Sequence, residues 1–227
     1  MGRIGHGYGS EWHLLRYLGR HRDLLDRTIQ ETTDCGGLEW LDFRFDPNNP
    51  WHDAEWKGLD FLVDDTALQD SWKRYWPQGA GIHNWDAVAR ACSGGKTEWI
   101  LVEAKANLEE LRSECQARSK ESLGKIHAAF DATKAALGVR AEANWMRPFY
   151  QYCNRVAALH FLASQGVAAR LLFIYFCGDK GDARRTCPAD PEGWEESLRD
   201  QSRHVEIPAG NFLKGNILTL FLPVTGG

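Results

Sequence analysis

Apolar positions along this chain follow two rhythms, and the rhythms predict its elements. Trp12, Leu14, Leu15, Leu18, Leu25 and Ile29 recur at helical spacing behind an N-cap at Ser10. They predict a helix over residues 11–31, weakened at Gly19 and ended by Asp34, Gly36 and Gly37. Residues 38–45 alternate as a strand with one parity slip, read as a bulge. Residues 46–50 are a turn cluster, 59–63 a second short strand, and 67–76 a short helix stopped by Pro77. Trp85, Ala87, Val88 and Ala89 mark a strand over 84–91, and Trp99, Ile100, Leu101 and Val102 mark another over 97–106. Ser93, Gly94 and Gly95 separate them, which reads as a β-hairpin. From Asn107, the residues Leu108, Leu111, Cys115, Leu123, Ile126, Phe130 and Leu137 share one face of a long helix that Gly138 closes. Pro148 opens a further helix through Tyr152, Val156, Leu159 and Leu162 to Gly166. Residues 168–177 are almost all apolar, so they predict an interior strand covered on both faces. A loop over 178–191, a helix over 193–204 and a strand over 217–224 complete the chain. With no repeat and no linker, the pattern predicts a single α/β domain over 1–227.

Composition adds constraints. The 227 residues are 43% hydrophobic and 26% charged, which is globular rather than disordered or fibrous. No apolar run approaches the roughly 20 residues of a membrane-spanning helix. Residues 1–10 have no apolar stretch of a secretory signal, so a cytoplasmic protein without membrane contact is expected. The net charge of −4 argues against a protein that coats nucleic acid, but it is unevenly spread. Residues 1–80 carry 9 basic and 14 acidic side chains, whereas 81–140 carry 9 and 8, and 141–227 carry 9 and 9. A local basic face is therefore compatible with an acidic total. The six cysteines include no C-x-x-C pair, so reduced thiols are expected rather than a zinc site. Seven of the ten tryptophans (Trp12, Trp40, Trp51, Trp56, Trp72, Trp76 and Trp85) precede residue 86. They predict aromatic core more than an aromatic binding surface.

The hairpin carries the chemistry. A symmetric turn between Gly94 and Gly95 sets Asp86 opposite Glu103 on one side of the sheet, with Cβ atoms about 5 Å apart. Like charges directly opposed are avoided in an ordinary sheet, so the pair predicts something positive between them. Two carboxylates, a nearby carbonyl and waters suit Mg²⁺ at about 2.1 Å. Period-two alternation puts Lys105 on the same face as Glu103. The competing reading is an exposed ladder of charges, against which the strand is otherwise apolar.

These residues resemble a known superfamily. Asn84-Trp85-Asp86 at a strand start, followed by Val102-Glu103-Ala104-Lys105-Ala106 at a strand end, is similar to the PD-(D/E)xK, or restriction-endonuclease-like, nucleases. Trp85 stands where the family name has proline. The order of helix, strands, motif hairpin, helix and strand resembles that fold over about 10–178, leaving a C-terminal helix and strand over 179–227. The resemblance implies an α/β fold with a central mixed β-sheet flanked by helices. It implies that Asp86, Glu103 and the Ala104 carbonyl bind Mg²⁺, with Mn²⁺ as a substitute, and that Lys105 activates water and offsets transition-state charge. It adds Glu11 as an acidic residue from the first helix, which otherwise reads as a partner of the helix dipole. It adds Gln116 and Lys120 as substrate-binding residues one helical turn apart, which otherwise read as an exposed helix face.

The expected activity is metal-dependent hydrolysis of phosphodiester bonds, with DNA as the expected nucleic-acid partner and the oligomeric state, a homodimer included, left open. The rival is a catalytically inactive module of the same fold that binds nucleic acid or a protein. A third reading, a glycosidase with Asp86 and Glu103 as its carboxylate pair, leaves Lys105 without a role. Weaker candidates are Lys180, Arg184 and Arg185 as phosphate contacts, His83 as an auxiliary base, and Asp60, Asp64 and Asp65 as a cation site. The basic group reads more simply as a solvated loop and the acidic run as a strand end exposed to water, while His83 reads at least equally as a surface-loop histidine.

Overall fold

The computed structural model describes residues 9–41, 56–79, 82–93, 95–180 and 184–224. The predicted turn over 46–50, the second half of the strand predicted over 38–45, Trp51 and Gly94 lie outside them. Two helices come first, α1 (Ser10–Arg20) and α2 (Arg22–Thr33). The single helix expected there is split at His21 rather than weakened at Gly19, and Gly9 takes the N-cap position expected of Ser10. Strand β1 (Gly37–Trp40) follows, then β2 (Trp56–Lys57) and α3 (Thr66–Tyr75). The strand expected over 59–63 is instead a series of turns, and Asp65 caps α3 by accepting from the Leu68 amide at 2.9 Å. Short β3 (Asn84–Trp85) leads into the hairpin of β4 (Ala87–Ser93) and β5 (Lys96–Lys105).

The long helix expected from Asn107 does not form over residues 107–119. Asn107 caps a 3-10 turn, Leu108–Leu111, and the chain then runs irregularly to Ser119. Its backbone bonds go to tertiary partners instead. The Ser113 amide donates to Pro148 O at 2.7 Å, the Tyr150 amide to Ser113 O at 3.2 Å, and the Cys115 amide to Met146 O at 3.0 Å. Ser119 caps the true helix, α4 (Lys120–Leu137), which ends in left-handed Gly138. Helix α5 (Tyr150–Ser164), strand β6 (Ala169–Cys177), helix α6 (Glu192–Val205) and strand β7 (Ile217–Pro223) complete the order.

The main sheet has five strands in the order β1-β4-β5-β6-β7, antiparallel through β1, β4 and β5 and parallel through β5, β6 and β7. It is therefore a mixed sheet, and helices cover both faces. One face packs Ala87, Ala89, Ile100, Val102, Ala104, Ile174 and Leu222 against α1 and α2. The other packs Val88, Leu101, Leu171, Phe173 and Tyr175 against α3, α4, α5 and α6. β6 is buried along nearly its whole length, as its continuous apolar sequence predicts. Trp72, Trp76, Trp85, Trp145 and Trp194 are fully buried, and no disulfide joins any two of the six cysteines. No helix among the described residues is long and apolar enough to cross a membrane.

Candidate functional site

The hairpin register is the one its symmetric turn predicts. Ser93 pairs with Lys96, Val88 with Leu101 and Ala87 with Val102. Asp86 lies one residue beyond the last pair. Its amide donates to Val102 O at 3.1 Å, so Asp86 and Ala87 both face Val102, the arrangement of a bulge that re-aims a side chain. One Asp86 oxygen, Oδ2, accepts from the Ala104 amide at 2.7 Å, while Oδ1 has no hydrogen-bond partner among the described residues. In a strand the N–H and C=O of one residue project to the same edge, so the Ala104 carbonyl also faces Asp86. The Ala104 side chain packs in the opposite, apolar face.

Glu103 and Lys105 share the face that meets α5, as alternation requires. Glu103 is 2% exposed and Lys105 is 8% exposed. Each oxygen of Glu103 has a cation. Lys105 Nζ holds Oε1 and also donates to Gln151 Oε1 at 2.9 Å. Arg155 Nε donates to Oε2 at 2.8 Å, and its Nη2 lies 2.7 Å from the same atom. A buried carboxylate is tolerable only when so paired.

Arg155 and its neighbours were not legible as site residues from apolar periodicity. Gln151, Asn154 and Arg155 all come from α5, and Asn154 and Arg155 are 4% and 3% exposed. A signal was present: three polar residues at i, i+3 and i+4 interrupt a helix that is otherwise largely apolar. Together with Ile82, His83, Asn84, Asp86, Ser113 and Tyr150 they line a cleft of about 380 Å³.

The two carboxyl groups differ in their electrostatics. Burial, then the charge of Glu103, pushes Asp86 up from 3.8 to about 7, against the opposing pull of Lys105, the Ala104 amide and Arg155. Burial also opposes ionisation of Glu103, but the charges of Arg155 and Lys105 and their hydrogen bonds outweigh it and hold its carboxyl below 4.5. Glu103 is thus the fixed anion of the pair, and Asp86 is the one that titrates near neutrality.

Oxygen donors of this kind suit a hard divalent cation: Asp86 with its unpartnered Oδ1, Glu103, and the Ala104 carbonyl. Mg²⁺ is commonly held by one or two carboxylates with waters completing its shell. No group of three or more His, Cys, Asp or Glu side chains converges as a metal cage among the described residues. A cation here would share Glu103 with Lys105.

Other predicted residues fall elsewhere. Glu11 is exposed in the first turn of α1, a helix that packs on the opposite face of the sheet, and it does not line the cleft. Gln116 and Lys120 are not one turn apart on a helix, because the chain is irregular at 116 and α4 begins at Lys120; both are exposed, and neither lines the cleft. His83 is 4% exposed rather than on a surface loop. Trp72, Trp76 and Trp85 meet it edge-on at 5.3, 5.7 and 5.1 Å, and burial, then Arg155, holds it well below 6.5, so it is neutral. Asp60, Asp64 and Asp65 are exposed, with Asp65 used as a cap. Arg185 lies 3.4 Å from Asn107 Oδ1, and Lys180 is exposed.

Comparison with protein-family models, with curated proteins and with solved structures found no match to this chain.

Proposed function

We propose that this chain has the restriction-endonuclease-like fold and acts as a metal-dependent nuclease on DNA, with Asp86, Glu103 and Lys105 as its working side chains. The observation that carries the reading is that Asp86, which lines the open cleft, feels the charge of Glu103, which with Lys105 and Gln151 lines an adjoining small space at the end of an otherwise apolar hairpin. An ordinary sheet has no use for three buried or half-buried charged groups there. The mixed five-stranded sheet, with the motif on its middle strand, supports the same reading.

Asp86, Glu103 and the Ala104 carbonyl would hold the Mg²⁺. When bound, the ion supplies Lewis acidity and lowers the pKa of a coordinated water. Lys105 is buried on Glu103 and on Gln151, which also lines the cleft, and its ammonium would act by turning from there toward a phosphate oxygen. There it opposes the charge that develops as water attacks the phosphodiester. Asp86 must lose its proton to bind a cation, so ionisation near pH 7 ties the site to neutral and alkaline conditions.

One observation favours the rival, a catalytically inactive module that binds nucleic acid or a protein. Both oxygens of Glu103 are already held by cations of the chain itself. Cleavage decides between the two. Single-stranded, duplex and branched DNA and RNA are incubated with Mg²⁺ or Mn²⁺, beside an EDTA control and Lys105→Ala. The nuclease reading predicts cutting that needs the metal and falls about 10²–10³-fold in Lys105→Ala. Equal cutting by Lys105→Ala removes Lys105 from the site, and no cutting of any substrate favours the inactive module.

A further inference from the structure

Arg155 touches more of the site than any residue of the motif. Its guanidinium donates from Nε to Glu103 Oε2 at 2.8 Å, from Nη1 to Asn154 Oδ1 at 2.8 Å, and from Nη2 to the Asn84 carbonyl. Its plane lies over the Trp85 ring, 5.0 Å from the centroid. Asn84 and Trp85 form β3, immediately before Asp86, and Glu103 lies on β5. One buried side chain from α5 therefore grips the approach to one carboxylate and the body of the other. All three guanidinium nitrogens are used, in the planar fork that arginine has and lysine lacks.

The grip is one-sided. Arg155 takes only Oε2 of Glu103, and Oε1 is left to Lys105. A carboxylate free to rotate could offer either oxygen, or both, to a cation. With Oε2 fixed, Oε1 is the oxygen on which Lys105 and an incoming cation must meet.

We propose that Arg155 is a positioning residue of this site, fixing Glu103 through Oε2 and Asp86 through Asn84 and Trp85, so that the carboxylates present one defined pair of oxygens to a divalent cation. The inference rests on the metal-binding reading above and adds a residue outside the motif. Arg155 acts through Glu103 and is not itself a catalytic residue.

The test is calorimetric titration of the full chain with Mn²⁺, with melting curves beside it. Arg155→Lys keeps the charge and loses the fork, so a role in charge balance alone would survive it. Positioning predicts Mn²⁺ binding weakened about 10–100-fold in Arg155→Lys. It also predicts that Arg155→Lys costs nothing further in a Glu103→Gln background, because the group it orients is already impaired. Asn154→Ala, which removes one tether and leaves the ion pair, should lose affinity by a smaller factor. Unchanged Mn²⁺ affinity in Arg155→Lys overturns the proposal, as does an equal loss in both backgrounds. If Arg155→Lys does not fold, unchanged affinity in Asn154→Ala overturns it. A wild-type chain that takes up no Mn²⁺ defeats the metal reading itself, and Arg155 then has no such role.

Discussion

The two faces of strand β5 are buried alike and carry opposite chemistry. Ile100, Val102 and Ala104 point into a mainly apolar layer against α1 and α2. Leu101, Glu103 and Lys105 point the other way, toward α5. Backbone and exposure barely differ between Ala104 at 1% and Glu103 at 2%. What differs is the helix on top. The helices over the first face give it mainly apolar side chains, with His13 against Phe176 and Asp179, and Thr33, as the buried polar exceptions. Helix α5 gives Gln151, Asn154 and Arg155, and their hydrogen bonds make buried charge tolerable beside β5. The motif on the strand is thus half of the site, and α5 is the other half.

Moving a charge to the wrong face should break the comparison hardest. Val102→Glu places a carboxylate one residue before Glu103 in a layer with no partner for it. Burying an ion without a partner costs several kcal/mol, a large share of the roughly 5–15 kcal/mol that holds a domain. Chemical denaturation should find it mostly unfolded, while a native-like midpoint would show that the first face is wetter than described.

Emptying the charged face should cost less and be reversible. Glu103→Leu leaves Lys105 and Arg155 buried without their anion, at about 3–5 kcal/mol. Replacing all three together, by Glu103→Leu, Lys105→Met and Arg155→Met, should restore most of that stability, because apolar groups of similar size are often neutral replacements for a buried ion network. A triple variant no more stable than Glu103→Leu would contradict the network described here.

Smaller still is the effect of Asp86. Its pKa in the fold, about 7, lies above its ordinary 3.8, so the folded state holds the proton more tightly than the unfolded chain. Stability should therefore fall as pH rises from about 4 to about 7, and stay lower above that. Asp86→Asn removes the penalty. It should melt a few degrees above wild type at pH 8 and level with it at pH 4. A gap of the same size at both pH values would mean that Asp86 does not titrate in this range. The smallest expected effect belongs to Gln116→Ala and Lys120→Ala, which should change stability by no more than about 0.5 kcal/mol and leave cleavage unchanged.

The strands of the hairpin and β6 were legible because their signals are local, whereas the strand expected over 59–63 forms turns. A Gly-Gly turn fixes the hairpin register up to Ala87 and Val102, and period-two alternation puts Glu103 and Lys105 on one face. The direct pairing of Asp86 with Glu103 that the turn predicts gives way to a bulge that sets Asp86 against Val102 and the Ala104 amide. The helix expected from Asn107 failed for the opposite reason. Its apolar spacing is genuine, but Ser113 and Cys115 make their backbone bonds with residues 146–150, a pairing that no window around 107–119 contains. Gln116 and Lys120 lost their expected place with it. Arg155 escaped notice because helical periodicity rewards apolar positions. The informative positions in α5 were those that broke the stripe.

Mn²⁺ titration of the wild-type chain against Asp86→Asn at pH 8 tests the central claim most directly, since it asks whether the two carboxylates form one site. The account predicts saturable Mn²⁺ binding by the wild type and its loss, by at least about tenfold, in Asp86→Asn although Glu103 is intact. Equal binding by both proteins, or by neither, would contradict it.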